Sequence, residues 1–339
     1  MNESGQHDRR SMKKRVAFFL KLAISLCIIT WIFTWIPLAG VWEALRTAKP
    51  WAWGGALICW GARLFLTARR TRLLTRHQGM SLRTMDIFRI SAVTSFYKLA
   101  LPGGVGGGLI RWYKMARPDG KPIEAFNVMM YDRVINALVT ILLGAVFLFA
   151  DRSVTTHPYV WTALAVLGIA LVIHAGMYLV AFNGHLAGWV TRRIAPFLPM
   201  RMRDSVHRLA SCADHFHQLD HVLRIKVWSY AITGRMLNLL MYYLFAVALS
   251  LPLGFATVAW VRTVVHLIVM IPITISGLGL REGAMLLFLS PYGIEPEHIV
   301  AFSMMVFIAI LLHAGLGAVY EIVHALSKGR IGGMRRAQP

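Results

Sequence analysis

Six runs of apolar residues, each at least 18 residues long, constrain this chain more than any other feature. They occupy 16–38, 51–68, 123–150, 159–182, 225–251 and 299–326. A helix needs about 20 apolar residues to cross the hydrocarbon core of a bilayer. The composition agrees, with 57% hydrophobic and 15% charged residues. The sequence therefore predicts an all-α, polytopic integral membrane protein, and the first run is too long for a cleavable signal.

A glycine-rich segment interrupts the apolar pattern at 95–111, which reads SFYKLALPGGVGGGLIR. Glycine and proline both disfavour a continuous helix. Broken backbone at membrane depth is tolerated only where protein buries it or where it lines a polar cavity. A new helix after such a break presents free N–H groups and a positive dipole end to an anion. The segment predicts a broken, re-entrant helix that binds something negatively charged.

A second segment, 272–281, resembles the first. It reads PITISGLGLR, against PGGVGGGLIR at 102–111, and in each a proline precedes an arginine by nine residues. Gly107 aligns with Gly277 in this match. Two Gly/Pro-interrupted apolar segments in corresponding halves are typical of transporters built from repeats. Chance similarity between two glycine-rich segments is the alternative.

The distribution of basic residues predicts the topology. If the N-terminus is cytoplasmic, the inside segments hold 25 basic residues and the outside segments three. One of the inside segments is a loop after the second span, which we expect to contain Arg69, Arg70, Arg72, Arg76 and Arg83. This count requires 88–110 to enter and leave on the cytoplasmic side and 255–291 on the other side. The two breaks then form an inverted repeat with halves at 16–182 and 225–326. An amphipathic cytoplasmic segment, 185–224, joins the halves, and basic tails occupy 1–15 and 327–339.

Polar side chains inside the spans are the candidate binding residues, because charge at membrane depth is costly. Two stripes repeat at i, i+3 and i+7, beginning at Arg133 and at Arg235. Facing guanidinium groups and open amides suit a phosphate. The alternative is that Asp132 or Glu282 simply neutralises a neighbouring arginine. The candidates are Lys98, Gly103, Gly104, Gly106, Gly107, Arg111, Asp132, Arg133, Asn136, Arg235, Asn238, Arg262, His266, Gly277, Gly279, Arg281 and Glu282.

Other chemistries find less support in the sequence. Histidines and aspartates cluster at 214–221, but a surface helix also collects such residues, and we expect no metal or cofactor. No nucleophile elbow, Walker A lysine or zincin motif is present. The net charge of +21 could indicate nucleic acid, but the basic residues lie between apolar spans. We therefore expect an anionic lipid surface as the partner and no nucleic acid.

Three ordered motifs resemble one family. They are SFYKLALPGGVGGGLIRWYKMAR at 95–117, YDRVINALV at 131–139 and ISGLGLREGA at 275–284. Together they resemble the lysylphosphatidylglycerol synthase transmembrane (flippase) domain family over about 15–330. The resemblance implies lipid movement between leaflets and functional roles for 102–108 and for charged residues near the motifs. The charged positions are Lys98, Arg111, Asp132, Arg133, Arg281 and Glu282. We expect no synthase domain beside the membrane domain, so synthase activity is not carried over from the resemblance.

These observations predict a lipid flippase of a bacterial-type inner membrane with both termini in the cytoplasm. Its substrate would be an anionic or aminoacylated phospholipid or a related lipid, held in a midplane cavity. One alternative is a membrane transferase that acts on a lipid-linked substrate, with Asp132, Glu282 or His266 as the reactive group. Another is a non-transporting lipid-binding partner of a separate lipid synthase. Homo-oligomerisation is a further hypothesis.

Overall fold

The computed structural model describes residues 38–100, 105–182, 220–270 and 279–336, together with 188–189, 192–193, 203 and 277. The predicted first span and most of the amphipathic segment 185–224 lie outside these residues. Within the described ranges the regular structure is entirely helical, as the sequence predicts.

Ten α-helices make up the described chain. We number them α1 (Leu38–Arg46), α2 (Pro50–His77), α3 (Thr84–Ala100), α4 (Val105–Ala116), α5 (Pro122–Ala150), α6 (Val160–Phe182), α7 (His221–Ala248), α8 (Phe255–Val269), α9 (Leu280–Leu289) and α10 (Pro296–Arg336). Short 3-10 turns at Arg152–Thr156 and Ser290–Tyr292 follow α5 and α9.

Four of the described helices are long and apolar enough to cross a membrane, namely α5, α6, α7 and α10. They match the apolar runs at 123–150, 159–182, 225–251 and 299–326, so these predictions are confirmed. Helix α10 continues to Arg336 and therefore includes most of the predicted C-terminal tail.

Both predicted breaks separate two helices. Helix α3 ends at Ala100 and α4 begins at Val105, while α8 ends at Val269 and α9 begins at Leu280. Gly277 and Gly279 have φ values of 77° and 80°, a conformation that residues with a Cβ rarely adopt. The interruption is shorter than the glycine-rich run 95–111, because residues 95–100 end α3 and residues 105–111 lie in α4.

The helical glycines allow α4 to fold back closely onto α3. A Cβ atom at Gly107 would lie 3.0 Å from Lys98 Cβ and 3.3 Å from the Thr94 carbonyl oxygen. The two helices pack against each other along this contact. The glycine therefore serves close helix approach, in addition to any backbone freedom that the break requires.

Helix α2 is longer than the sequence analysis predicts. The apolar run ends at 68, and the arginines that follow it were predicted to lie in a loop. The helix instead continues to His77, and Arg70 is buried at 2% relative exposure. Arginine is a strong helix former, and a buried carboxylate on α5 provides Arg70 with a partner.

Helices α2 and α7 form the most extensive contact of the molecule, and the others are arranged around them. Helix α3 packs on α10, and α8 packs on α5. Helix α4 packs on α5, and α9 packs on α10. The contacts that α2, α3, α4 and α5 make with one another thus have counterparts among α7, α8, α9 and α10. Among the four helices long and apolar enough to cross a membrane, α6 is the least buried, since 11% of its most apolar 18-residue stretch lies inside the described structure.

Glycines permit the closest approach in two of these contacts. A methyl group at Gly317 of α10 would overlap the Ala92 carbonyl of α3. A methyl group at Gly144 of α5 would lie 2.7 Å from Thr263 Cβ of α8. Ala92 and Thr263 are both the ninth residue of their helices. The half-length helices α3 and α8 are therefore held against long helices by equivalent contacts.

Asp151 organises the corner that joins α5 to α6. It accepts hydrogen bonds from the Ser153 N–H at 3.0 Å, from Trp260 Nε1 at 2.9 Å and from the Tyr292 hydroxyl at 3.3 Å. Burial raises the pKa of the Asp151 carboxyl, but the hydrogen bonds from Ser153, Trp260 and Thr257 outweigh burial and lower it. The ionised carboxylate thus ties the corner to α8 and to the turn after α9.

We predict that Gly317→Ala destabilises the protein by about 1–3 kcal/mol, because the added methyl group forces α10 away from α3. Gly315→Ala, two residues away on the same helix, is the control, because a Cβ there meets nothing within 4 Å. Thermal unfolding in detergent should show a lower Tm for Gly317→Ala alone. Equal Tm values for the two variants would contradict the close contact.

We predict that the Asp151 corner makes stability depend on pH under acidic conditions. Because the folded pKa lies below the unfolded value of about 3.9, its contribution is complete above that value. The contribution is lost as the pH falls through the folded pKa. The Tm of Asp151→Asn should therefore change less than that of the wild type between pH 5 and about pH 3. Parallel pH profiles would disprove this role.

Candidate functional site

Three arginines lie near the middle of long or buried helices. Arg63 is the fourteenth of 28 residues in α2, Arg235 the fifteenth of 28 in α7, and Arg262 the eighth of 15 in α8. At 1.5 Å per residue, Arg63 and Arg235 are about 20 Å from either end of their helices. The arginines thus lie at a depth where a membrane would offer no water.

The arginines on α2 and α7 separate two apolar cores. On α2, Ala56 belongs to one core and Ala68 to the other, and Arg63 lies between them. On α7, Ala231 and Met241 belong to different cores, and Arg235 lies between them. A polar layer therefore crosses the middle of the helix bundle.

The cations of this layer repel one another. Arg235 lies within electrostatic range of Arg262, Arg63 and Arg70. His266, one turn after Arg262 on α8, is within range of Arg262, Arg235 and Arg63, and of Lys98 at the end of α3. No carboxylate among the described residues forms an ion pair with Arg63, Arg235 or Arg262. We call Arg63, Arg70, Lys98, Arg235, Arg262 and His266 the basic cluster.

Several donors of the basic cluster lack acceptors. Arg262 is 7% exposed, and its guanidinium lies 5.0 Å above the centre of the Tyr242 ring. Its Nε and Nη1 atoms have no hydrogen-bond partner among the described residues, and neither does Arg63 Nε. Buried polar groups are normally paired, and each exception needs an explanation. An anion bound between Arg63 and Arg262 would supply the missing acceptors.

Asp132 is the carboxylate nearest the basic cluster, and two arginines share it. Its Oδ1 lies 2.7 Å from Arg70 Nη2, and its Oδ2 lies 3.5 Å from Arg111 Nη2. Arg111 belongs to α4, directly after the glycine-rich break. The buried carboxylate therefore connects α2, α4 and α5, and it forms no ion pair with Arg63 or Arg262.

The neighbouring side-chain amides are also engaged. Asn136 Oδ1 accepts a hydrogen bond from Arg70 Nη1 at 3.0 Å. Asn238 Oδ1 accepts from Arg235 Nη1 at 3.4 Å. Each amide orients one guanidinium and provides no negative charge. The site is therefore rich in hydrogen-bond donors and poor in acceptors.

The charge of the arginine that follows the second break is neutralised by its neighbours. Arg281 Nη2 lies 2.6 Å from Glu282 Oε1, and Arg281 Nε donates to Ser303 Oγ at 2.7 Å. Glu282 Oε2 accepts from the Gly279 N–H at 2.7 Å, at the start of α9. Arg281 also lies over the Phe307 ring. Glu282 therefore neutralises its neighbour, which was the alternative interpretation of this residue.

The structure places the sequence candidates unevenly. Arg235, Asn238, Arg262 and His266 lie near one another, and Asn136 and Asp132 contact the cluster through Arg70. Arg133 lies on the exposed face of α5, apart from them, and its binding role stays a prediction. Residues 103 and 104, and all but the end of the 214–221 cluster, lie outside the described residues. Gly106 is the second residue of α4, and Gly277 and Gly279 precede α9.

Sequence reasoning missed Arg63 and Arg70. Arg63 is a lone cation in the middle of the run 51–68, and its position away from either end was the available signal. Arg70 lies beyond the apolar run and was assigned to a loop. Only its distance to Asp132, 62 residues later in the chain, identifies it as part of the site.

A surface groove of about 500 Å³ lies elsewhere, between α1, α2 and α10. Trp42, Trp53, Met305 and Ile308 line it with other uncharged residues. It contains none of the basic cluster, so we do not assign the binding chemistry to it.

We predict that Arg262→Met stabilises the ligand-free protein, because it removes a buried cation that lacks a counter-charge. Each kcal/mol gained should raise the Tm by roughly 2–4 °C. Arg69→Met is the control, since Arg69 is exposed on α2 and stacks on Phe65. The measurement is thermal unfolding in delipidated detergent. A lower Tm for Arg262→Met than for Arg69→Met would mean that the arginine is structural.

Comparison with known proteins agrees with the motifs. The sequence matches the family described as the lysylphosphatidylglycerol synthase TM region over residues 18–317. A relative from Methanothermobacter thermautotrophicus, described as a UPF0104 membrane protein, is 25% identical over 218 residues. That alignment covers 54% of this chain and 62% of the relative, less than two thirds of its length. Because the family match covers most of the chain, this protein belongs to the lysylphosphatidylglycerol synthase transmembrane-region family.

Proposed function

We propose that this protein is a transporter that moves a lipid with an anionic headgroup between membrane leaflets. The observation that carries the proposal is the basic cluster, in which Arg262 is buried and Arg63 and Arg235 are half-buried at mid-helix depth, and none of the three pairs with a described carboxylate. Intramembrane cations of this kind mark substrate pathways. The family's association with lipid handling supports the same interpretation.

The basic cluster suits a headgroup that must cross the centre of a bilayer. A phosphate loses its hydration there, and guanidinium groups replace water with charge-assisted hydrogen bonds. Arg63 and Arg235 are half-buried and Lys98 is exposed, so the site remains accessible from the surface. The acyl chains would stay in lipid while the headgroup occupies the polar layer between the two apolar cores.

Two inverted halves would give this site alternating access. The packing relations of α2–α5 recur in α7–α10, which supports the repeat that the glycine motifs predict. The hairpins α3–α4 and α8–α9 would be the re-entrant elements, entering from opposite faces. Arg63 and Arg235 occupy nearly the same position in α2 and α7, the central pair. The headgroup would thus bind near the pseudo-two-fold axis, where it can meet either leaflet.

The distribution of charge supports an orientation. The arginine-rich end of α2 and the loop before α5 would face the cytoplasm, and the Asp151 corner would face outward. A bacterial-type inner membrane with cytoplasmic termini fits this orientation. A separate lipid-synthesis enzyme and a second copy of the chain are the partners that we propose.

A transferase is the weaker proposal. Its reactive group would have to be Asp132, Glu282 or His266. Asp132 is shared by Arg70 and Arg111, and Glu282 is held by Arg281 and Ser303. A carboxylate that already pairs with arginine is poorly placed to contact a lipid-linked substrate as a general base. We therefore favour transport without chemical conversion.

We predict that Arg235→Gln slows leaflet exchange about tenfold or more, because one charge-assisted contact to the headgroup is lost. The measurement is dithionite quenching of fluorescent phosphatidylglycerol and fluorescent phosphatidic acid in liposomes that contain the purified protein. Arg63→Gln should have a similar effect, since it removes the corresponding cation of the other half.

Arg69→Gln is the matched control, because it removes an exposed arginine from α2 and should keep the wild-type rate. Wild-type exchange by both Arg63→Gln and Arg235→Gln would remove the basic cluster from the transport path. No exchange of either lipid by the wild-type protein would contradict the transporter assignment itself.

A further inference from the structure

The site holds more positive charge than is needed to neutralise the single negative charge of an ordinary phospholipid headgroup. Six cations lie in or beside it, and Asp132 is the one carboxylate that the described residues place among them. The cations are Arg63, Arg70, Lys98, Arg111, Arg235 and Arg262. Asp132 offsets a single charge, so the remaining positive charge is available to a ligand.

The hydrogen-bonding groups of the site also favour a ligand with several acceptor atoms and more than one negative charge. A guanidinium offers five donors and no acceptor. The acceptors nearest the cluster are occupied, since Asp132 faces Arg70 and Arg111 while Asn136 and Asn238 each accept from an arginine. An ammonium group brings three further donors and another positive charge. An aminoacylated headgroup would therefore meet repulsion and unpaired donors in this cluster.

A terminal phosphate has the complementary properties. As a monoester it carries a charge of about −1.5 to −2 near pH 7 and three strong acceptor oxygens. A phosphodiester such as phosphatidylglycerol carries one charge. Arg63 Nε and the Nε and Nη1 atoms of Arg262 are buried donors without a hydrogen-bond partner among the described residues, as is Arg70 Nε, and a terminal phosphate would bring acceptors for such donors.

We infer that the headgroup taken by the basic cluster ends in a phosphate monoester or diphosphate, and that aminoacylated lipids are excluded. This inference rests on the proposed function for the location of the site. It narrows the substrate from anionic lipids in general to lipids whose headgroup carries about two or more negative charges. His266 is the titratable neighbour from α8, and Lys98 extends the positive field from α3.

The test compares lipids with identical acyl chains. Phosphatidic acid, phosphatidylglycerol and lysyl-phosphatidylglycerol are titrated into the delipidated full-length protein, and binding is measured by native mass spectrometry and by the rise in Tm. We expect phosphatidic acid to bind about tenfold or more tightly than phosphatidylglycerol, and lysyl-phosphatidylglycerol not to compete. The preference should shrink at pH 5, because a phosphate monoester loses its second charge near pH 6.

Two variants and one soluble probe complete the design. Arg262→Gln should lose the preference for phosphatidic acid, and Arg63→Gln should weaken it, while Arg69→Gln keeps it. Because Arg262→Gln removes an unpaired buried charge, we expect it to fold at least as well as the wild type. Inorganic pyrophosphate should displace phosphatidic acid only at much higher concentration. Equal potency of pyrophosphate would overturn the inference that the ligand is a lipid.

The remaining outcomes separate the two proposals. Equal binding of phosphatidic acid and phosphatidylglycerol, or tighter binding of lysyl-phosphatidylglycerol, would overturn the inference about charge while leaving the transporter assignment intact. Selective binding of phosphatidic acid without leaflet exchange would contradict the transporter assignment and support the headgroup class. Selectivity retained in both Arg262→Gln and Arg63→Gln would place the phosphate away from the basic cluster and overturn the inference.

Discussion

Asp132 is the charge on which the interior of this protein depends. It lies on α5 and contacts Arg70 of α2 and Arg111 of α4, so one carboxylate connects three helices. Removing one partner of a buried ion pair typically costs about 3–5 kcal/mol, because the other charge is left without compensation. The same sharing leaves Arg63, Arg235 and Arg262 without a carboxylate. The small number of carboxylates therefore has two consequences. Asp132 is needed to hold three helices together, and the arginines without a carboxylate can bind an anion.

Close packing keeps these charges in position. Gly317 and Gly144 allow α10 and α5 to approach the half-length helices α3 and α8 at nearly backbone distance. Helices α3 and α8 carry Lys98, Arg262 and His266, and each precedes one of the two breaks. In a membrane, where apolar surface gives little drive for helix association, small residues of this kind let helices approach closely. The glycines therefore position the cationic side chains indirectly.

The two breaks differ in their electrostatics. After the first, Arg111 reaches across to Asp132 on the following helix, next to the basic cluster. After the second, Arg281 is neutralised by the adjacent Glu282 and by Ser303. Each break is thus followed by a helix that carries an arginine. Arg111 pairs with Asp132 of another helix, whereas the charge of Arg281 is neutralised by the adjacent Glu282. This asymmetry makes the first half the stronger electrostatic contributor to the site.

The sequence by itself determined the helical class, four of the membrane spans, both breaks and several cluster members, because apolar length and glycine spacing act locally along the chain. Arg235 and Arg262 could be proposed because charge inside an apolar run is conspicuous. The continuation of α2 through Arg70 could not be predicted from the sequence. Arg70 is buried because it pairs with a carboxylate of α5, and only the tertiary structure brings the two together. Arg133 and Asp132 are adjacent in sequence, yet only the helix rotation decided that Asp132 faces inward and Arg133 outward. Which charges remain without a partner is a property of the assembled bundle, because it depends on distances between helices that are far apart in the chain.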